Sequence, residues 1–242
     1  MGTLFLVGLG PGDSTYRTPQ AQEALTRSDL LCGYGPYLDQ IRAEFPDKET
    51  FETPMRKELE RCRFALQEAE TRTVSMVCSG DSGVYGMASP VLTLLPEYPG
   101  ADVVVVPGIT AALSGAALLG APLGNDFCVI SLSDLLTPRE QIERRLQAAA
   151  DGDFTIVLYN PASRRRPDHL TWAVDLLLRA GKDPQTACGW ARNIGREGEA
   201  SGTVSLKELR KFPADMFTTI FIGSRTTECV GGRLITPRGY QI

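Results

Sequence analysis

The chain has 242 residues, a formal net charge of −4, 43% hydrophobic and 22% charged side chains. That length admits one large α/β domain or two smaller ones with a full core, and the composition is that of an ordinary globular protein. An acidic balance argues against general nucleic-acid binding, and no apolar run approaches the ~20 residues that cross a bilayer, so neither a nucleic acid nor a membrane is an expected partner.

The start, Met1-Gly2-Thr3-Leu4, has no basic region and leads straight into a strand, so no signal peptide is expected. Six cysteines without a C-x-x-C pair read as reduced core thiols of a cytoplasmic protein, and no metal site is expected. Charge is uneven along the chain. Residues 1–122 carry 9 basic against 15 acidic side chains, and residues 123–242 carry 16 against 14.

Thr3 to Val7 reads as a strand that leaves through Gly8-Leu9-Gly10-Pro11-Gly12-Asp13. A dinucleotide fingerprint fails here, because Asp13 stands where its last glycine belongs and Pro11 removes an amide donor. The helix starts late, at the Thr18-Pro19 cap. Asp29 to Cys32 is a strand ending in Gly33-Tyr34-Gly35-Pro36-Tyr37, and Glu49 to Phe51 is a short strand. Arg56 to Glu70 has helical periodicity, with Leu59, Cys62, Leu66 and Ala69 expected inward and Glu60, Arg61 and Glu68 outward.

Thr73 to Cys78 reads as a buried strand, followed by Ser79-Gly80-Asp81-Ser82-Gly83 and a helix expected from Val84 to Leu95. This loop is either an ordinary tight βα turn or a ligand loop of bare amides and one carboxylate. Asp102 to Val106 is a continuous apolar run, expected to be buried on both faces. It leads through Pro107-Gly108-Ile109-Thr110 into a helix of small residues, which suits close packing against a sheet or a ligand. Alternating strands and helices predict a parallel sheet with these loops along one edge.

Residues 120–125 are the expected linker, dividing a first domain (1–122, mostly parallel sheet) from a second (123–242, mixed sheet). In the second half, strands are expected at 127–132, 154–159 and 186–190, and helices from Pro138 to Ala150 and from Asp168 to Ala180. Strands at 217–222 and 233–235 are expected to pair antiparallel. The lone histidine, His169, beside Asp168 at a helix start, reads as solvated or capping. No G-x-S-x-G, P-loop or H-E-x-x-H motif is present. Without a conspicuous nucleophile, group transfer from an activated cofactor fits the sequence best.

Gly8-x-Gly10-Pro11-Gly12-Asp13, Ser79 to Met87 and Pro107-Gly108-Ile109-Thr110-Ala111 together resemble the tetrapyrrole methylases, S-adenosylmethionine enzymes of corrin and sirohaem biosynthesis. Ile130 to Pro138, Tyr159-Asn160-Pro161 and Thr236-Pro237-Arg238-Gly239-Tyr240 resemble its C17-methylating branch, and the motif order is intact from residue 4 to residue 240. The resemblance implies two α/β domains with the active-site cleft between them, in a cytoplasmic homodimer. It implies methylation of C17 of precorrin-3B or cobalt-factor III with ring contraction; any cobalt belongs to the substrate. The same motifs leave open another macrocycle carbon or a non-catalytic tetrapyrrole binder.

Carried over by motif, Pro11, Gly80, Asp81, Val84, Thr110, Ala111, Asn160 and Gly195 are expected to contact S-adenosylmethionine, leaving S-adenosylhomocysteine as product. Arg164, Arg165 and Arg238 are expected to clamp substrate carboxylates. Tyr34 stands where some relatives carry a catalytic aspartate, and Asn125 where C17 enzymes tend to carry histidine. A tyrosine is a poor resting base but a good hydrogen-bond donor. Both are kept as catalytic candidates.

Overall fold

The structure is a computed structural model and describes residues 2–240. The chain forms two compact units, one up to Thr110 and one from Ala111 onward.

The first unit alternates strands and helices: β1 (Gly2–Gly8), α1 (Pro19–Arg27), β2 (Leu30–Tyr34), α2 (Gly35–Leu38), β3 (Glu49–Thr53), α3 (Glu58–Glu68), β4 (Thr73–Cys78), α4 (Ala88–Leu94) and β5 (Ala101–Val106). The sheet order is β3-β2-β4-β1-β5 and every pairing is parallel, as the alternation predicts. All five carboxyl ends therefore lie on one edge. Side chains alternate across the sheet. Leu4 and Leu6 pack with Cys62 and Leu66 of α3 and Val91 of α4, while Phe5 and Val7 pack with Ala21 and Leu25 of α1. The Thr18-Pro19 cap forms as expected, with Thr18 Oγ1 accepting from the Ala21 amide at 3.1 Å.

Three expectations are corrected here. The helix after β4 begins at Ala88 instead of Val84, because Tyr85 is left-handed (φ 53°) and residues 82–87 form an irregular loop. β5 is an edge strand, so Asp102 is exposed and Val105 is 42% exposed instead of sealed on both faces. On α3, Cys62, Leu66 and Ala69 are buried and Glu60 is exposed as expected, but Leu59 is 60% exposed and Arg61 only 4%. The buried stripe runs through Arg61, Cys62, Ala65 and Leu66, leaving Leu59 off its edge.

The second unit holds α5 (Ala111–Leu119), β6 (Gly120–Ala121), β7 (Phe127–Ser131), α6 (Arg139–Asp151), β8 (Thr155–Tyr159), α7 (His169–Arg179), β9 (Ala187–Arg192), β10 (Ala200–Ser205), α8 (Leu206–Leu209), β11 (Thr218–Ile222), β12 (Glu228–Val230) and β13 (Arg233–Ile235). Its main sheet is mixed, in the order β10-β9-β11-β8-β7, with β7 and β8 parallel and β11 antiparallel to both β8 and β9. Helices α6, α7 and α8 cover one face through Ile142, Leu146, Leu170, Val174 and Leu206.

Helix α5 covers the other face, and close approach explains its small residues. A Cβ on Gly115 would lie 2.9 Å from Phe221 Cζ and 3.2 Å from Ala191 Cβ. The stretch 120–125, expected as a linker, is built into this unit: the Thr236 amide donates to Ala121 O at 3.0 Å and its Oγ1 to Pro122 O at 2.6 Å. β11 and β13 do not pair with each other as expected. β11 lies between β8 and β9, while β13 joins β12 and β6 in a separate three-stranded sheet.

At the carboxyl edge of the first sheet, Gly8, Gly80 and Gly108 bring three strand ends into backbone contact. A Cβ on Gly108 would fall on the Gly80 carbonyl oxygen and lie 2.7 Å from Gly8 C; one on Gly8 would lie 2.7 Å from both Gly108 N and Gly80 O. Gly108→Ala is therefore expected to destabilise by ~1–3 kcal/mol, as overpacking does, lowering the melting temperature by several degrees in differential scanning fluorimetry. Gly35→Ala, whose Cβ would sit 3.5 Å from Glu52 Oε2, is expected to stay within ~0.5 kcal/mol of the parent.

Candidate functional site

In the first unit the site is built on the loops after β1, β4 and β5. Gly10 and Gly80 exchange backbone hydrogen bonds, Gly10 N to Gly80 O at 3.0 Å and Gly80 N to Gly10 O at 2.7 Å. Gly80 adopts φ 67°, which turns the chain sharply and presents Asp81. The Asp81 carboxylate then accepts from three backbone amides: Oδ1 from Gly83 N at 2.7 Å and Val84 N at 3.2 Å, Oδ2 from Gly108 N at 2.9 Å. A carboxylate offers about four lone-pair positions, so most of its accepting capacity is used to join the β4 loop to the β5 loop. Asp13, by contrast, folds onto its own turn: Oδ1 accepts from the Thr15 amide and hydroxyl, and these bonds hold its carboxyl below the usual range.

Pro11 is buried beside this junction, Val84 and Thr110 are half-buried, and Ser82 is fully buried with Oγ unpartnered. Tyr34 closes β2 on the same edge, its ring edge-on to Tyr37 at 5.3 Å and 89°. The structure thus gathers Pro11, Tyr34, Gly80, Asp81, Val84 and Thr110 along one sheet edge.

In the second unit β7, β8 and β9 run the same way, so their carboxyl ends share an edge. Asn160 (φ 53°) follows β8, and its Nδ2 donates to Ser131 Oγ at 2.9 Å, tying it to the end of β7. Tyr159 Oη accepts from the Ala112 amide at 2.6 Å, which anchors the start of α5, and with it Ala111, near Asn160. Gly195 (φ 66°) follows β9 and donates its amide to Glu199 Oε2 at 2.6 Å. Arg164 and Arg165 are exposed in the turn after Asn160.

Three placements bear on the sequence expectation. Arg238 is not brought beside Arg164 and Arg165: it follows Thr236, which is bonded to Pro122 on the chain leading into the start of β7, at the opposite end of the sheet. Asn125 is exposed at that same amino end. His169 neither caps α7 nor stands solvated. Its Nε2 lies 3.1 Å from Asp134 Oδ2, with Arg166 Nη1 3.7 Å from Asp134 Oδ1. Burial pushes the Asp134 carboxyl up, but the hydrogen bond and charge of His169 and the charge of Arg166 outweigh it and hold it below the usual range. A cavity of about 670 Å³ in this unit is lined by Asp153, Lys182 and Arg225 at the amino edge, away from Asn160 and Gly195.

The chain belongs to the tetrapyrrole (corrin/porphyrin) methylases, whose family pattern it matches over residues 3–210. It is 42% identical over 241 residues to the "probable cobalt-factor III C(17)-methyltransferase" of Salmonella typhimurium, covering 99% of this chain and 100% of that protein. A precorrin-3B C(17)-methyltransferase of Sinorhizobium sp. is also 42% identical, over 249 residues, covering 99% and 97%. Among solved structures, the methyltransferase CobJ superposes with a TM-score of 0.91 at 40% identity, covering 98% of this chain and 100% of that one. Uroporphyrin-III C-methyl transferase from Thermus thermophilus, complexed with S-adenyl homocysteine, gives 0.73 at 25% identity over 92% and 97%. The fold and the family both make this chain an S-adenosylmethionine-dependent methyltransferase.

Asp81→Asn places an NH2 group where the carboxylate accepts from backbone amides. A half-buried amide left unpaired costs about 1–3 kcal/mol, so the variant is expected to melt several degrees lower. Isothermal calorimetry is expected to show weaker binding of S-adenosylhomocysteine; unchanged affinity removes Asp81 from the cofactor site.

Proposed function

We propose that this chain methylates C17 of precorrin-3B or cobalt-factor III, with contraction of the macrocycle, in corrin biosynthesis. The observation that carries the reading is identity of 42%, end to end, with relatives named for that step.

The residues of the first-unit edge fit S-adenosylmethionine. The junction of Gly8, Gly80 and Gly108 leaves no room for side chains, so backbone groups line it, and the one carboxylate there, on Asp81, suits a cationic ligand. Pro11, Gly80, Asp81, Val84 and Thr110 would hold the cofactor from this unit, and Ala111, Asn160 and Gly195 from the second. When bound, it supplies an electrophilic methyl group; the protein orients the acceptor carbon and keeps water away. Tyr34 is a hydrogen-bond donor for the macrocycle, and Asn125, at the amino end of the second sheet, takes no part at this edge. Arg164 and Arg165 pair with substrate carboxylates. Cobalt, where present, enters with the substrate, and the working form is a cytoplasmic homodimer.

Incubation with S-adenosylmethionine and either macrocycle, followed by mass spectrometry, is expected to show one added methyl on the macrocycle and one equivalent of S-adenosylhomocysteine. No mass gain on either substrate overturns the reading. Methylation of cobalt-factor III but not of metal-free precorrin-3B assigns the chain to the cobalt-containing route.

A further inference from the structure

Arg61 is 4% exposed, its Nη1 has no hydrogen-bond partner, and it makes no ion pair among the described residues. A guanidinium stays charged at any physiological pH, and removing it from water without a counter-charge is strongly unfavourable. The same unit shows how a structural arginine is treated. The Arg17 side chain is 3% exposed, and its Nη1 lies 2.7 Å from Glu44 Oε2 and donates to Gln22 Oε1 at 2.7 Å. Arg61 has no such arrangement.

Its position is informative. α3 begins shortly after the carboxyl end of β3, so Arg61, in the first turn, stands at the edge that also carries Tyr34 and Asp81. Its charge acts on Cys32 of β2, Cys62 of α3 and Cys78 at the end of β4; the charge of Glu58 also acts on Cys62 and that of Asp81 on Cys78. The thiols do not balance it, and neither carboxylate forms an ion pair with it among the described residues. Burial pushes Cys32 up to about 12 and Cys62 and Cys78 up to about 11, so all three are neutral at pH 7. At the end of β3, Thr53 Oγ1 is also buried and without a partner.

We propose that Arg61 is the counter-charge for a carboxylate of the bound macrocycle, with Thr53 at the end of β3 as a second donor. This rests on the reading of the substrate as a polycarboxylate tetrapyrrole. It gives the acidic first unit a cation that is reserved for the ligand.

The test compares the parent with Arg61→Met and Arg61→Lys in two measurements: the melting temperature without ligand, and the affinity for cobalt-factor III in the presence of S-adenosylhomocysteine, read by absorbance titration. Arg61→Met removes a buried, unbalanced charge and is expected to melt at or above the parent temperature. It is expected to bind cobalt-factor III at least about tenfold more weakly, with Arg61→Lys between the two and affinity for S-adenosylhomocysteine unchanged. An Arg61→Met chain that fails to fold, or melts more than about 5 °C lower, makes Arg61 structural and overturns the proposal. Equal affinity of parent and variant for cobalt-factor III overturns it as well, with the substrate reading intact. A parent that binds S-adenosylhomocysteine but neither cobalt-factor III nor precorrin-3B overturns the substrate reading itself.

Discussion

The backbone junction of Gly8, Gly80 and Gly108 is the constraint on which the first unit's site depends. Three parallel strands, β4, β1 and β5, lie side by side, and their exits converge because none of the three residues carries a Cβ. The mutual hydrogen bonds of Gly10 and Gly80 and the reach of Asp81 Oδ2 to the Gly108 amide then fix the loops relative to one another. A site assembled from backbone in this way is rigid before any ligand arrives, which lowers the ordering cost of binding. Asp81 is therefore first a clamp between loops, with about one accepting position left over.

The second unit solves a similar problem with side chains instead of backbone contact. Asn160 reaches Ser131 across the ends of β8 and β7, and Tyr159 reaches the Ala112 amide at the start of α5. Its sheet is mixed, yet β7, β8 and β9 still point the same way, because the antiparallel β11 is inserted between β8 and β9. That insertion is why Asn160 and Gly195, 35 positions apart in sequence, share one edge.

Much of this was legible in the sequence, and the reasons differ by feature. Glycine-bearing strand ends and alternating elements gave the parallel sheet, since apolar runs and tight exits are local signals. The burial of Arg61 and the exposure of Leu59 on α3 were not legible. Leu59 and Arg61 are two positions apart, and periodicity places a stripe only to within about one residue when Cys and Ala fill most of it. Assigning charge outward is the better general rule, and Arg61 breaks it. The pairing of His169 with Asp134 joins residues 35 positions apart and had no local signal. β10 and β12 carry no strand signal, because Ala200 to Ser205 and Glu228 to Val230 lack the apolar alternation that marks a strand. Arg238 was grouped with Arg164 and Arg165 by chemistry alone; the pairing of β13 with β6 carries it to the other end of the sheet.

Net charge is a coarse guide to where an anion is received. The second half is the more basic, but several of its arginines are already engaged in the fold. Arg210 is held by Asp175, Arg166 by Asp134, and Arg192 by Asp215, Thr218 and the Pro213 carbonyl, while Arg139 stacks 4.2 Å over Trp172. Such pairs cancel locally and contribute little field beyond a Debye length. Arg61 belongs to the acidic half, where bulk charge would repel an anion, yet it is buried and forms no ion pair among the described residues. Attraction at short range is governed by compensation of the individual group in a poorly solvated setting, not by the sum over a domain. An unpaired guanidinium beneath a sheet edge thus outweighs a surplus of solvated arginines as a mark of where a carboxylate is received.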